Sequence, residues 1–119
     1  MRPEKGESVL QRYGALLVLA MALTGWPTGV PGTPTVSIID LAFVPKILQV
    51  TVGTTVTWRH NGQQPHTVTT EDGTPAPIDS GLLNNGDEYS FTFTMPGTYR
   101  YFCEVHPTIM KDVQVVVSP

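Results

Sequence analysis

The sequence predicts an all-β domain, a sandwich of short strands, from three observations. Apolar and polar residues alternate with a period of two in several segments, as in Val56-Thr57-Trp58 and Tyr99-Arg100-Tyr101. Glycine turn signals such as Asn61-Gly62 and Pro96-Gly97 separate these segments. No segment after the N-terminal region has sustained helical spacing. Seven or so short strands at this spacing are typical of an antiparallel β-sandwich.

Six runs of alternation give the expected strands. In each run the residues of one parity are apolar and are expected to face the core, because successive side chains of a strand point to opposite faces. Tyr99 follows Gly97-Thr98 and is a candidate for a tyrosine corner, in addition to packing in the core. In chain order the runs are 36–38, 48–52, 56–58, 91–93, 99–103 and 113–117.

The first 32 residues are predicted to be a signal peptide and a short linker. Three basic residues precede an apolar run, Gly14–Leu23, which has ten residues where a bilayer crossing needs about 20. The alternative is an uncleaved N-terminus that anchors the protein at a membrane surface. We therefore expect an exported protein, periplasmic or otherwise extracytoplasmic, with one domain at residues 33–119.

Charge excludes one class of function. The chain has a net charge of −3, and residues 33–119 contain four basic and eight acidic residues, a net charge of −4. A nucleic-acid surface would need a basic stripe, so no nucleic-acid partner is expected. We expect a monomer that meets a membrane only through an uncleaved N-terminus.

The cysteine content points to a metal. Cys103 is the sole cysteine, so an intramolecular disulfide is impossible. A lone cysteine in an exported protein pairs with another chain, remains a reactive thiol or binds something. Here His106 and Met110 follow within eight residues, and His66 begins another strand segment. Two histidines, one cysteine and a weak axial methionine form the blue-copper set of ligands.

Each of these residues also has an ordinary interpretation. His66 alone suggests a histidine at a strand end, Cys103 alone a small buried apolar residue, and Met110 alone a filler of core space. Their joint spacing favours the metal site. His60 follows Trp58-Arg59, has no partner in the motif and is expected at the surface.

From Phe43 to Ser118 the chain resembles plastocyanin- and amicyanin-type cupredoxins. The matching stretches are Val52–Trp58, Pro65–Thr69, Asp79–Gly81, Pro96–Cys103 and His106-Pro107. The resemblance implies an eight-stranded Greek-key sandwich that binds one copper ion, which cycles between Cu(I) and Cu(II). Carried over by position, the equatorial ligands are His66, Cys103 and His106, and the axial ligand is Met110.

The loop between the ligands departs from the family pattern at two places. Met110 follows His106 by four residues, whereas amicyanin-like loops have three and plastocyanin-like loops five. Val105 stands where the family often has proline, and its N–H is expected to approach the sulfur of Cys103 and favour Cu(I). Thr67 is expected to bond across to the loop after Cys103.

The resemblance implies an electron carrier and no enzyme activity. Redox partners would dock transiently near His106, in the apolar surroundings of Pro107, Thr108 and Ile109. The main alternative is a periplasmic copper chaperone or buffer. A copper enzyme would need further ligands, and His60 is the one other histidine. An immunoglobulin-type sandwich without metal would usually have a second cysteine.

Overall fold

Residues 33–119 form two four-stranded sheets packed face to face in a computed structural model, which describes these residues of the chain. The strands in chain order are β1 (Thr35–Ile39), β2 (Ala42–Val44), β3 (Ile47–Thr51), β4 (Thr55–His60), β5 (Thr69–Thr70), β6 (Glu88–Thr92), β7 (Gly97–Phe102) and β8 (Val113–Ser118). One sheet has the order β2-β1-β4-β6 and the other β3-β8-β7-β5. The all-β sandwich predicted from the sequence is confirmed.

Strand direction differs from the sequence-based expectation. The sheets are mixed, because β1 runs parallel to β4 and β3 runs parallel to β8, while the remaining pairs are antiparallel. An alternating pattern specifies which face of a strand is buried, and this is the same for either direction. The pattern therefore could not distinguish a purely antiparallel sandwich from a mixed one.

The core lies between the sheets and consists of the inward residues of the alternating runs. Trp58 of β4 is fully buried, and its ring meets the Tyr101 ring of β7 edge to face at 5.7 Å between centroids. The Phe43 ring also contacts the Tyr101 ring, edge to face at 4.9 Å between centroids. Contacts of this kind contribute beyond the burial of apolar area. They fix β7, and with it the residues that follow β7.

Tyr99 forms the expected tyrosine corner near the start of β7. Its hydroxyl donates a hydrogen bond of 2.8 Å to the carbonyl of Met95, four residues upstream. Gly97 has φ of +140°, a backbone conformation that side chains rarely adopt. A Cβ at Gly97 would also lie 2.7 Å from Pro75, so glycine is required at this turn.

The described part of the chain has no helix with the length and apolar character that crossing a membrane would demand. Residues 1–32, the predicted signal peptide and linker, lie outside the described residues.

Candidate metal centre

Cys103, His66 and His106 converge at the end of the sandwich where β7 finishes. Cys103 directly follows β7 and is fully buried. Its Sγ lies 3.7 Å from His66 Nδ1 and 3.8 Å from His106 Nδ1. The donor atoms of the three residues all fall within 4.8 Å of one another. The structure thus assembles in one place three residues separated by up to 40 positions in the sequence.

His66 is held by backbone and side chain together. It forms an isolated antiparallel bridge with Leu83, with hydrogen bonds of 3.1 and 2.8 Å in the two directions. Its Nε2 lies 3.0 Å from Asp40 Oδ1. An ionised carboxylate only accepts hydrogen bonds, so Nε2 carries the proton and Nδ1 keeps its lone pair. That lone pair lies on the side of the ring that faces Cys103.

His106 has the same arrangement in a more open setting. Its Nε2 lies 3.0 Å from Gln64 Oε1, an amide oxygen that accepts the ring proton. Its Nδ1 therefore carries no proton, and the Nδ1 lone pair is available to a metal on the side of Cys103. The His106 ring is half-buried and tilts against the His66 ring at 5.1 Å between centroids.

The loop from Cys103 to Met110 is closed by its own backbone. Cys103 N–H donates to the Met110 carbonyl at 2.9 Å, and Met110 N–H donates to the His106 carbonyl at 2.9 Å. The second bond spans four residues and forms one α-turn. Side chains four residues apart on such a turn lie on the same face. Met110 is also buried, with an exposed fraction of 1%.

Thr67 ties the His66 segment to the cysteine loop, as expected from its position. Its Oγ1 accepts a hydrogen bond of 2.8 Å from the Glu104 N–H. Its own N–H donates to Cys103 Sγ at 3.4 Å. Among the described residues, the backbone N–H bonded to this sulfur is therefore that of Thr67, and the expected contact of the Val105 N–H with the sulfur is not found.

His60 is buried, and the expectation of a surface histidine is wrong. It is 1% exposed, and its ring packs at a tilt against that of His66, with 4.9 Å between centroids. The Gly62 N–H donates to His60 Nδ1, so the proton resides on Nε2 and is donated to the Gln64 carbonyl at 2.6 Å. His60 continues the inward phase of Val56 and Trp58, a signal already present in the alternating pattern of β4.

Asp40 is a residue that the sequence did not indicate. It lies in the connection between β1 and β2, and its carboxylate accepts hydrogen bonds from the Gln63 and Gln64 N–H groups as well as from His66. The Gln64 N–H, followed by the His66 ring and the Gln63 N–H, lowers the pKa of Asp40 to about 2. Burial lowers the pKa of His66, and the bond to Asp40 opposes that effect.

The donor set fits a soft transition metal. Two imidazole nitrogens and one sulfur, each with a free lone pair, face a common point, and bonds of about 2.0–2.3 Å at trigonal angles would separate sulfur from nitrogen by about 3.7 Å. Thiolate and imidazole ligands in this ratio suit copper. The separations found between Sγ and the two Nδ1 atoms agree with this value.

Comparison with known proteins identifies the family. The sequence profile of the copper binding proteins of the plastocyanin/azurin family matches residues 32–118. This chain belongs to that family. Copper is accordingly its cofactor, as the residue pattern indicated, and the cupredoxin resemblance noted in the sequence is confirmed.

Individual relatives agree with this assignment. Amicyanin-alpha of Methylorubrum extorquens is 30% identical over 98% of this chain and 99% of its own length. Chloroplastic plastocyanin of Silene latifolia subsp. alba is 41% identical, and the match covers 56% of this chain and 46% of the plastocyanin. The chain thus spans about half the length of the chloroplastic relatives it matches.

Two solved structures show the same architecture. An oxidised amicyanin variant matches with a TM-score of 0.66 and 34% identity, over 76% of this chain and 86% of that protein. A copper-containing nitrite reductase from Thermus scotoductus matches with a TM-score of 0.69 and 31% identity, over 81% of this chain and 24% of the reductase.

Proposed function

We propose that this protein is an extracytoplasmic single-electron carrier in which one copper ion is bound by His66, Cys103 and His106, with Met110 as the axial ligand. A bound copper ion would supply the Cu(I)/Cu(II) couple. The observation that carries the proposal is the convergence of the Cys103 sulfur with two imidazole Nδ1 atoms whose lone pairs are free. Sites of this composition with a weak axial methionine are electron-transfer sites.

The chain holds these donors in place by hydrogen bonds that do not involve a metal. Cys103 is restrained by the bond of its N–H to Met110, and His66 by its backbone bridge to Leu83. Thr67 links the two segments through Glu104. Fast electron transfer requires little rearrangement between oxidation states, and this preorganisation restricts movement of the donors.

The α-turn between His106 and Met110 supports the axial role of Met110. A spacing of four residues brings the two side chains to one face of the turn. The unusual loop length, intermediate between the two family patterns, is therefore compatible with a methionine that faces the copper.

The surface around His106 supports transient docking of a redox partner. His106 is half-buried, and the neighbouring Val105 and Ile109 are 43% and 59% exposed. A small apolar contact area around the ring edge allows partners to dissociate quickly. The protein would act as a monomer, without contact to nucleic acid, consistent with the net charge of −4 in residues 33–119.

The proposal includes export and removal of residues 1–32, so that residues 33–119 are the working domain. The family match begins at residue 32, which supports a boundary there. N-terminal sequencing of the protein recovered from the periplasm of an expressing bacterium tests this boundary. A start near residue 33 would support cleavage, whereas a retained Met1 in the membrane fraction would support the anchor.

A copper chaperone or buffer is the second candidate, because an imidazole at the surface could pass the metal on. One observation favours this candidate, the partial exposure of His106. An enzyme is not proposed. The nitrite reductase match covers a quarter of that protein, and the His60 nitrogens are occupied by backbone groups of Gly62 and Gln64.

The test is the visible and EPR spectrum of the full chain after addition of Cu(II), followed by voltammetry and by transfer of copper to a chelator. An intense thiolate-to-copper absorption, a narrow copper hyperfine splitting, a reversible potential and slow loss of copper would support the carrier. The same spectrum with rapid loss of copper would support the buffer. A pale Cu(II) spectrum would refute both the cysteine ligand and the carrier.

A further inference from the structure

Asp40 makes a contact that the ligand motif does not contain. It occupies the connection between β1 and β2, 26 residues before His66, yet its Oδ1 is 3.0 Å from His66 Nε2. The carboxylate also accepts bonds of 2.9–3.0 Å from the Gln63 and Gln64 N–H groups. Three donors on one neighbouring segment therefore hold one carboxylate.

We propose that Asp40 is a positioning residue, which fixes the His66 ring with Nδ1 towards Cys103 and whose negative charge favours Cu(II) over Cu(I). This inference rests on the proposed copper site. A carboxylate bonded to the remote nitrogen of a ligating histidine sets the orientation of the ring and raises its basicity. An anion attracts a doubly charged ion more strongly than a singly charged one.

Gly62 leaves the space in which Asp40 makes its contacts. A Cβ at this position would lie 2.9 Å from the Asp40 backbone nitrogen and closer still to its carboxylate, nearer than real side chains come. The residue is buried, and its N–H donates to His60 Nδ1. The glycine thus allows the segment of Gln63 and Gln64 to close around Asp40.

The turn that carries Asp40 is also unusual. The next residue, Leu41, has φ of +72°, a conformation that a branched side chain seldom adopts. The backbone is held there while Asp40 faces the 62–66 segment. The conformation agrees with a turn whose geometry serves the contact with His66.

The primary test is the reduction potential of copper-loaded Asp40→Asn. Losing the negative charge should weaken Cu(II) affinity about 10–100-fold and Cu(I) affinity less. A tenfold difference between the two corresponds to a rise of about 59 mV. Asp79→Asn is the control, because Asp79 also accepts a backbone N–H, from Gly81, but contacts no histidine. An unchanged potential in a blue Asp40→Asn protein would overturn the proposal.

Gly62→Ala tests the same contact without removing the carboxylate. It should displace Asp40 from His66 and raise the potential in the same direction. The double variant should shift the potential by less than the sum of the single variants, because both changes break one interaction. Strict additivity would show that Gly62 acts independently of Asp40.

The metal-free protein supplies a readout that does not depend on copper. In wild type, ¹⁵N NMR should show His66 as the tautomer protonated at Nε2, and in Asp40→Ala, which has no acceptor, this tautomer should lose its preference. Asp40→Glu should restore part of it. A wild type that has this tautomer but forms no blue copper site would refute the proposed function and leave the role of Asp40 intact. A tautomer unchanged in Asp40→Ala would refute the role of Asp40.

Discussion

The two ends of strand β7 differ in how their polar groups are satisfied. At its start, the Tyr99 hydroxyl bonds to the Met95 carbonyl, and the turn is complete within the protein. At its finish, Cys103 Sγ lies 3.7 and 3.8 Å from two imidazole Nδ1 atoms, so three potential metal ligands face one another. Three such atoms at this separation are spaced as ligands of one metal ion. One end of the strand therefore serves stability, and the other carries the proposed copper site.

The comparison predicts that substitutions at the finish of β7 change the spectrum or the potential, whereas those at its start change only the free energy of unfolding. The largest effect is expected for Cys103→Ser, which should abolish the thiolate absorption completely, because the hydroxyl does not ionise or donate charge as the thiolate does. The fold should persist, since serine is similar in size. Visible absorption and far-ultraviolet circular dichroism check the two outcomes, and an intense blue colour in this variant would contradict the site.

Tyr101 lies between the two ends and should affect alkaline stability. Burial raises its pKa to about 12 from the ordinary value of 10.0. In the folded state Tyr101 keeps its proton up to a higher pH than in the unfolded state. Stability is therefore complete below pH 10 and declines as the pH rises to about 12.

In Tyr101→Phe, roughly 2–3 kcal/mol of this alkaline decline should disappear, at about 1.36 kcal/mol for each pKa unit. Urea unfolding of the metal-free protein between pH 9 and about 12 measures it. The pKa values of Tyr89 and Tyr99 are also raised by burial, so some decline will remain. An alkaline profile identical to wild type would show that Tyr101 is not responsible.

Met110→Gln should lower the reduction potential, because an amide oxygen is a harder donor than a thioether and favours Cu(II). A tenfold change in the ratio of the two affinities corresponds to about 59 mV. Met95→Gln is the matched control, since Met95 is 43% exposed and precedes β7 at the opposite end. Equal shifts of the reduction potential in the two variants would contradict the assignment of Met110 as the axial ligand.

Tyr99→Phe should have the smallest effect, a loss of about 1 kcal/mol of unfolding free energy from one hydrogen bond. The phenyl ring would keep its edge-to-face contact with Phe93, whose centroid lies 4.7 Å away. Denaturant unfolding measures the loss, and voltammetry should give the wild-type potential. A changed reduction potential would contradict the separate roles assigned to the two ends of β7.

Much of the fold could be predicted because alternation reports burial directly. The inward residues of β7 and β8 are the apolar residues of the runs, and Tyr99, Tyr101, Val113, Val115 and Val117 are all buried. The same reasoning applied to β4 would have placed His60 inside. It failed there because the type of residue was given more weight than its phase in the strand.

The sequence by itself determined the sandwich, the family and the close grouping of Cys103, His106 and Met110, because these depend on period-two alternation and on neighbours along the chain. Only the tertiary structure decided that strands β1 and β4 run parallel, that Thr67 donates to the sulfur, and that Asp40 reaches His66. Such contacts join segments distant in sequence, and their geometry is set by the packing of the two sheets and the course of the connections. A local pattern carries no record of that packing.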